Sequence, residues 1–328
     1  STGMAMPLDE LIEADGEEGK AYIDDFLPGF MEDSYVDGKI YSIPFQRSTM
    51  VLYYNKDAFK EAGLDPETPP ATWEELAEYG QKLTDDGRYG VGIALNSGSA
   101  QWAFTGFCLQ NSTDGQNLMS EDGKSVYFNT PENVEALQFW LDLQNEYKCM
   151  AEGIVQWTDL PTQFLAGEVA MIYHTTGNMA NIHDNADFDF GTAFLPAHKR
   201  VGAPTGGGNF YISSGISEDR VQVAWKFIKF ATSTDRAAQW SLDTGYVATR
   251  QSCFDTDLIK DYYAEVPQAS VAYEQLPYAK PELTTYNAAE IWRVLNDNIQ
   301  AAVVGDMSAR EALDAAQEQA EEVLSEYQ

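Results

Sequence analysis

Apolar and polar positions along this chain fall into short runs of two kinds. Brief stretches of β-branched and aromatic residues at 50–54, 89–95, 126–128, 169–173, 188–196 and 210–212 predict strands. Apolar residues spaced by three and four predict helices over 57–62, 73–83, 102–109, 131–147, 160–165, 221–231, 235–242, 258–265, 288–304 and 312–327. Several of these helices carry clear end signals. Gly63, Gly167 and Gly305 stand where a left-handed C-cap belongs, and Pro131 sits at a first helical position. Thr72 with Glu75, and Ser308 with Glu311, have capping-box spacing. Leu8, Leu11 and Ile12 predict a short first helix, followed by an acidic, Gly-containing stretch over 13–19. Asp37-Gly38 between apolar residues predicts a hairpin turn. Strands and helices alternate throughout without a fixed repeat, so the class is α/β.

One stretch breaks the apolar pattern in an informative way. Gln46-Arg47-Ser48-Thr49 places four adjacent polar residues directly before the strand run Met50-Val51-Leu52-Tyr53-Tyr54. A plain core strand has no use for them, so the pattern predicts a strand leaving a core and entering a cleft. The theme returns in reverse order at 169–178, where an apolar strand ends in His174-Thr175-Thr176-Gly177-Asn178. The Gly-rich segment 202–209 leads into the expected strand at 210–212.

The length of 328 residues suits about two domains. Hydrophobic content of 44% supports real cores. A formal net charge of -32 argues against nucleic acid and against anionic lipid surfaces, both of which need Lys and Arg. Cys108, Cys149 and Cys253 have no metal or redox spacing, so neither a disulfide scaffold nor a zinc site is expected, although one bridge with a free thiol remains open. The chain begins at Ser1 with no initiator Met and no export signal, and reads as a processed or trimmed form.

Motifs of nucleophilic, zinc-peptidase and phosphate-loop chemistry are missing from the sequence. Gly206-Gly207-Gly208-Asn209 precedes a strand, whereas a phosphate cradle feeds a helix. His174, His183 and His198 have no metal-ligand spacing, and His183 and His198 are expected in solvent. No cofactor or metal is expected. A glycoside hydrolase would need paired carboxylates; among so many acidic residues no catalytic pair stands out, and Glu152 and Asp159 near Trp157 are one pair that could be imagined in that role. Polar and aromatic residues at element ends remain: Gln46, Arg47, Ser48, Trp73, Trp102, His174, Thr175, Gly207, Asn209, Tyr246, Trp292 and Arg293. Aromatic faces stack on pyranose rings while amides, hydroxyls and Arg bond their hydroxyls, so this set suits a sugar site. Trp140, Trp225 and Trp240 fall on apolar helical faces and are expected in cores.

Pro44-Phe45 to Ser48-Thr49, Val51 to Phe59, Ala62 to Pro66 and Thr72 to Leu76 form a first group of local motifs. Phe164 with Gly167 to Met171, Thr244-Gly245-Tyr246, and Gly305 with Glu311-Ala312-Leu313 form a second. In these residues, taken in order over the whole chain, the sequence resembles the extracellular solute-binding proteins of ABC importers, in the branch with the glycerol-3-phosphate and maltose-type binders. The resemblance implies a two-lobed periplasmic-binding-protein-like fold with a ligand in the cleft. One lobe would comprise residues 1–50 and 204–245, the other 51–203 and 246–328, with hinges near 49–54, 203–206 and 244–248. It also implies that the first lobe lacks its leading strand, helix and strand here.

Ligand positions of the glycerol-3-phosphate binders would match Ser48, Trp73, Thr175, Gly207 and Tyr246. A phosphate-holding Arg would fall at or beside Trp292, where the maltose-type pattern has a stacking Trp. An aromatic face there favours an uncharged sugar. The function implied is a non-enzymatic, monomeric binding protein outside the cytoplasm, lipid-anchored or periplasmic, that delivers a carbohydrate to an ABC permease. A glycerol-3-phosphate or glycerophosphodiester binder is the alternative, with Arg293 or Arg47 on the phosphate.

Overall fold

The computed structural model describes residues 3–96 and 98–328. Its strands, in chain order, are β1 (Tyr35–Val36), β2 (Lys39–Ile40), β3 (Ser42–Asn55), β4 (Tyr89–Gly92), β5 (Val169–Thr175), β6 (Phe190–Ala193), β7 (Ala203–Tyr211) and β8 (Ala279–Lys280). β1 and β2 form the expected hairpin, with Asp37 and Gly38 both at positive φ, as a tight two-residue turn requires. The other strands make one mixed sheet in the order β4-β5-β3-β7-β8, with β6 also paired to β3.

β3 is far longer than the predicted run at 50–54. Its first half, Ser42 to Thr49, pairs antiparallel with β7, and its second half pairs antiparallel with β5 and β6. The polar residues 46–49 are therefore strand, because their backbone groups have a ladder partner in β7. Side chains alternate across the second half of β3. Met50, Leu52 and Tyr54 enter the largest core, while Val51 and Tyr53 enter another on the opposite face. Burial on both faces explains why the run reads as continuously apolar.

The Gly-rich segment expected to lead into a strand is itself β7. Its glycines permit close approach. A Cβ on Gly206 would stand 2.8 Å from the Trp102 ring, and one on Gly207 would stand 2.0 Å from the Gln46 carbonyl oxygen. Gly207 also has φ +102°. A register shift between Pro44 and Gln46 on β3 lies just beyond this contact.

The predicted strand at 126–128 is absent; Val126 makes only an isolated bridge to Met119. The acidic stretch over 13–19 leads into a helix, Gly16–Asp24. Elsewhere helices match expectation closely. Ser308 and Glu311 complete a capping box, whereas Glu75 returns its bond to the Ala71 N–H and leaves Thr72 to accept from Glu75 N–H alone. Ala100–Asn111 is buried along its entire length and packs between Pro131–Asn145 and β7. Ala288–Val303 and Ala309–Leu324 close the far side of that core. Trp140 is fully buried there. Trp225 anchors a smaller core with Leu8, Tyr22, Phe26 and Ile43. Trp240, expected in a core, is only partly buried and tilts against Phe45 at 5.0 Å.

Gly207→Ala forces a side chain into a disfavoured backbone region and against the Gln46 carbonyl. It is expected to cost more than about 1 kcal/mol in denaturant unfolding, whereas Gly305→Ala, strained only in φ, costs less.

Candidate functional site

Three passages of chain meet where β3 changes partners. Thr49 stands opposite Thr205 of β7, and on the other side the Val247 N–H donates to the Arg47 carbonyl at 2.9 Å. The Thr49 hydroxyl donates to the Pro204 carbonyl at 2.9 Å, and the Gln275 amide donates to the Met50 carbonyl at 2.8 Å. The junction is therefore tied by side chains as well as by ladders.

Arg47 is the centre of this junction and is only 3% exposed. Its guanidinium donates to Asp33 Oδ2 at 2.9 Å, to Asn209 Oδ1 at 3.3 Å and to Thr205 Oγ1 at 3.4 Å, and it lies 5.5 Å from the Phe30 ring centre. Its Nε has no hydrogen-bond partner among the described residues. Burial raises the Asp33 carboxyl above the usual range, only partly offset by Arg47. Asn209 is held in turn, donating to Ser42 Oγ at 2.9 Å and Ser34 Oγ at 3.3 Å.

An aromatic group stands against this polar junction. Trp102 donates its indole N–H to the Thr205 carbonyl at 3.0 Å. Trp157 lies 5.7 Å from Trp102 and stacks on His174 at 3.8 Å with a 22° interplanar angle. His174 Nε2 is 3.3 Å from the Trp157 carbonyl, which can only accept, so Nε2 carries the proton, and Nδ1 is an acceptor without a partner among the described residues. Burial lowers the His174 pKa from its ordinary 6.5 to about 4, so the ring is neutral at pH 7.

The remaining expected residues are placed as follows. Gln46 pairs with Gly208, and Ser48, buried, pairs with Gly206. The Thr175 hydroxyl accepts from the Gly177 N–H at 3.1 Å, and its carbonyl accepts from Tyr53 at 2.9 Å. A Cβ on Gly177 would meet the Tyr246 ring at 2.8 Å, so Tyr246 covers that turn. Trp292 donates its indole N–H to the Leu283 carbonyl and packs on the edge of the largest core.

Among the described residues no hydrogen bond or ring contact ties Trp292 to the group, and Trp73 and Arg293 stand outside it. Trp73 is buried with its indole N–H on Gln110 Oε1 at 2.7 Å, and Phe139 and His198 both stack on it at 4.6 Å. The stacking face expected for a sugar is thus taken by protein. His198, expected in solvent, is the other half of that correction. Arg293 is exposed, with its guanidinium ion-paired to Glu290 and Asp297 of its own helix.

The structure also brings in residues that the sequence reading left aside. Trp157 lies in a loop, where no periodicity marks it. Asp33 and Glu282 were lost among 52 acidic residues. Among the described residues no group of three or more His, Cys, Asp or Glu is arranged to hold a metal. All three cysteines are free and buried, and burial pushes the Cys149 thiol to about 12 and the Cys253 thiol to about 11.

Removing Arg47 strands a buried carboxylate. Arg47→Ala is expected to destabilise by about 3–5 kcal/mol, and Arg47→Met with Asp33→Asn by less, in denaturant unfolding. His174 gives a pH signature. Its folded pKa lies below the unfolded value, so the stability it allows is complete above pH 6.5 and is lost as pH falls towards 4. The loss amounts to about 3 kcal/mol, and His174→Gln should flatten that part of the stability profile.

Residues 1–268 match the family described as bacterial extracellular solute-binding protein. The sn-glycerol-3-phosphate-binding periplasmic protein UgpB of Escherichia coli (strain K12) is 30% identical over 325 residues, covering 92% of this chain and 72% of that protein. Among solved structures, UgpB from Mycobacterium tuberculosis in complex with glycerophosphocholine superposes with a TM-score of 0.86 at 26% identity, covering 99% of this chain and 80% of that one. The cyclic α-maltosyl-1,6-maltose binding protein from Arthrobacter globiformis gives 0.83 at 26% identity, with 99% and 81% covered. The α/β fold is therefore the periplasmic-binding-protein fold, and the chain belongs to the bacterial extracellular solute-binding protein family.

Proposed function

We propose that this chain captures a neutral, hydroxyl-rich solute, a carbohydrate or glycoside, and hands it to the permease of an ABC importer. On this reading residues 1–50 and 204–245 form one lobe and 51–203 and 246–328 the other. They close about the junction of Arg47–Thr49, Thr205–Gly207 and Tyr246–Val247. Closure excludes water and strengthens the polar contacts inside, and the closed form is what a permease distinguishes from the open one. The protein acts outside the cytoplasm as a monomer, in the periplasm or on a lipid anchor.

The observation that carries the ligand class is the Trp157–Trp102 pair beside a polar junction whose one guanidinium is already neutralised. Trp157 is partly exposed and offers an indole face to a pyranose. On this reading Ser48, Asn209, Thr175, Gln46 and Tyr246 supply the polar groups of the site. Arg47 is committed to Asp33, which disfavours a phosphate ester there. Glycerol-3-phosphate or a glycerophosphodiester is the second reading, favoured by the names of the relatives in E. coli and M. tuberculosis. No bond is broken in either case, which separates both from a glycoside hydrolase.

Calorimetry against neutral oligosaccharides, glycerol-3-phosphate and glycerophosphocholine tests the choice. A neutral sugar is expected to bind, and Trp157→Ala to weaken it at least tenfold. Binding of the phosphate compounds alone would select the second reading, and release of a cleaved product would sink both.

A further inference from the structure

Glu282 sits in the Pro-rich connection after β8. β8 runs parallel to β7, with Pro204 opposite Lys280, so Glu282 follows that pairing by two residues. The next residue, Leu283, accepts the indole N–H of Trp292 through its carbonyl. Glu282 is therefore pinned between the β7 edge of the junction and Trp292. Its side chain is partly buried, and among the described residues no group hydrogen-bonds or ion-pairs with its carboxylate. The charged groups that face it are Arg47 from β3 and Asp33 from the turn Glu32–Ser34, acting in opposite directions. Lys280, the nearest cation on its own segment, acts on Glu32 instead.

One guanidinium thus faces two carboxylates, and only Asp33 is bonded to it. A largely buried carboxylate without a donor is costly unless something supplies hydrogens. We propose that Glu282 is a ligand contact of this site and sets its selectivity, accepting hydroxyl hydrogens from a neutral polyol and keeping phosphate and sulfate groups away from Arg47. The proposal rests on the reading of the junction as a solute site. It deepens that reading by naming the residue that selects the substrate class. Burial lifts the Glu282 pKa from 4.5 to about 7, against the pull of Arg47. Its charge, and the repulsion of anions, should then change across the neutral range.

The test uses calorimetry on the full chain and on Glu282→Gln at pH 6 and pH 8. The probes are a panel of neutral oligosaccharides and alditols, glycerol-3-phosphate, and sulfate, which does not titrate in this range. The substitution is expected to weaken neutral-sugar binding at least tenfold and to strengthen sulfate and glycerol-3-phosphate binding at least tenfold at pH 8. The unsubstituted protein should bind sulfate more tightly at pH 6 than at pH 8, and Glu282→Gln equally at both. If sugar binds but the variant matches the parent for every probe, Glu282 is not a contact and the solute site stands. A flat sulfate profile in the unsubstituted protein overturns the proposal without any substitution. If neither protein binds any probe, the solute-site reading falls with it.

Discussion

Everything at the centre of this molecule depends on one strand satisfying two ladders. β3 is 14 residues long and pairs with β7 along its first half and with β5 and β6 along its second. A backbone that must keep its hydrogen bonds while changing neighbours has little freedom at the point of exchange. That point is Arg47 to Met50, where Val247 joins from the other side and Gln275 reaches the Met50 carbonyl. Side chains that elsewhere would be core are polar here, because they bond the neighbouring strands as well as filling space.

The Arg47–Asp33 pair illustrates the balance of forces at this exchange. Taking both groups from water costs several kcal/mol each, so the pair is weak evidence of stability for its own sake. Its value lies in position: it ties the short N-terminal core segment to β3, and with Asn209 and Thr205 it sets the polar edge against which Trp102 and Trp157 stand. The neutral His174 beneath Trp157 follows the same logic. Burial costs its charge, and the ring then acts as a flat support with one donor committed.

How legible this was depended on range. Helix ends with local signals, such as Ser308–Glu311 and Pro131 at the start of Pro131–Asn145, were readable because each signal lies within four residues of the end it marks. The polar run 46–49 announced a junction because polar residues before a buried strand need long-range partners. Trp73 and Trp102 had the same local look, at the start of a helix beside a polar loop. Phe139 and His198 close over one, while Thr205 and Trp157 meet the other. No local pattern distinguishes those outcomes, since all the deciding residues are distant in sequence.

The sequence by itself determined the α/β alternation, most helices, the hairpin at Asp37-Gly38 and the break between the polar run 46–49 and the buried run 50–54, because periodicity, caps and turn residues act over a few positions. Tertiary structure decided that the Gly-rich segment is a strand, since only β3 shows how closely its backbone must approach. It also decided that Arg47 is spent on Asp33, that Trp157 joins the aromatic group, and that Glu282, near Arg47 and Asp33, has no hydrogen-bond or ion-pair partner for its carboxylate among the described residues. Those outcomes rest on which backbone segments pack side by side, a fact that charge and hydropathy along one chain do not encode.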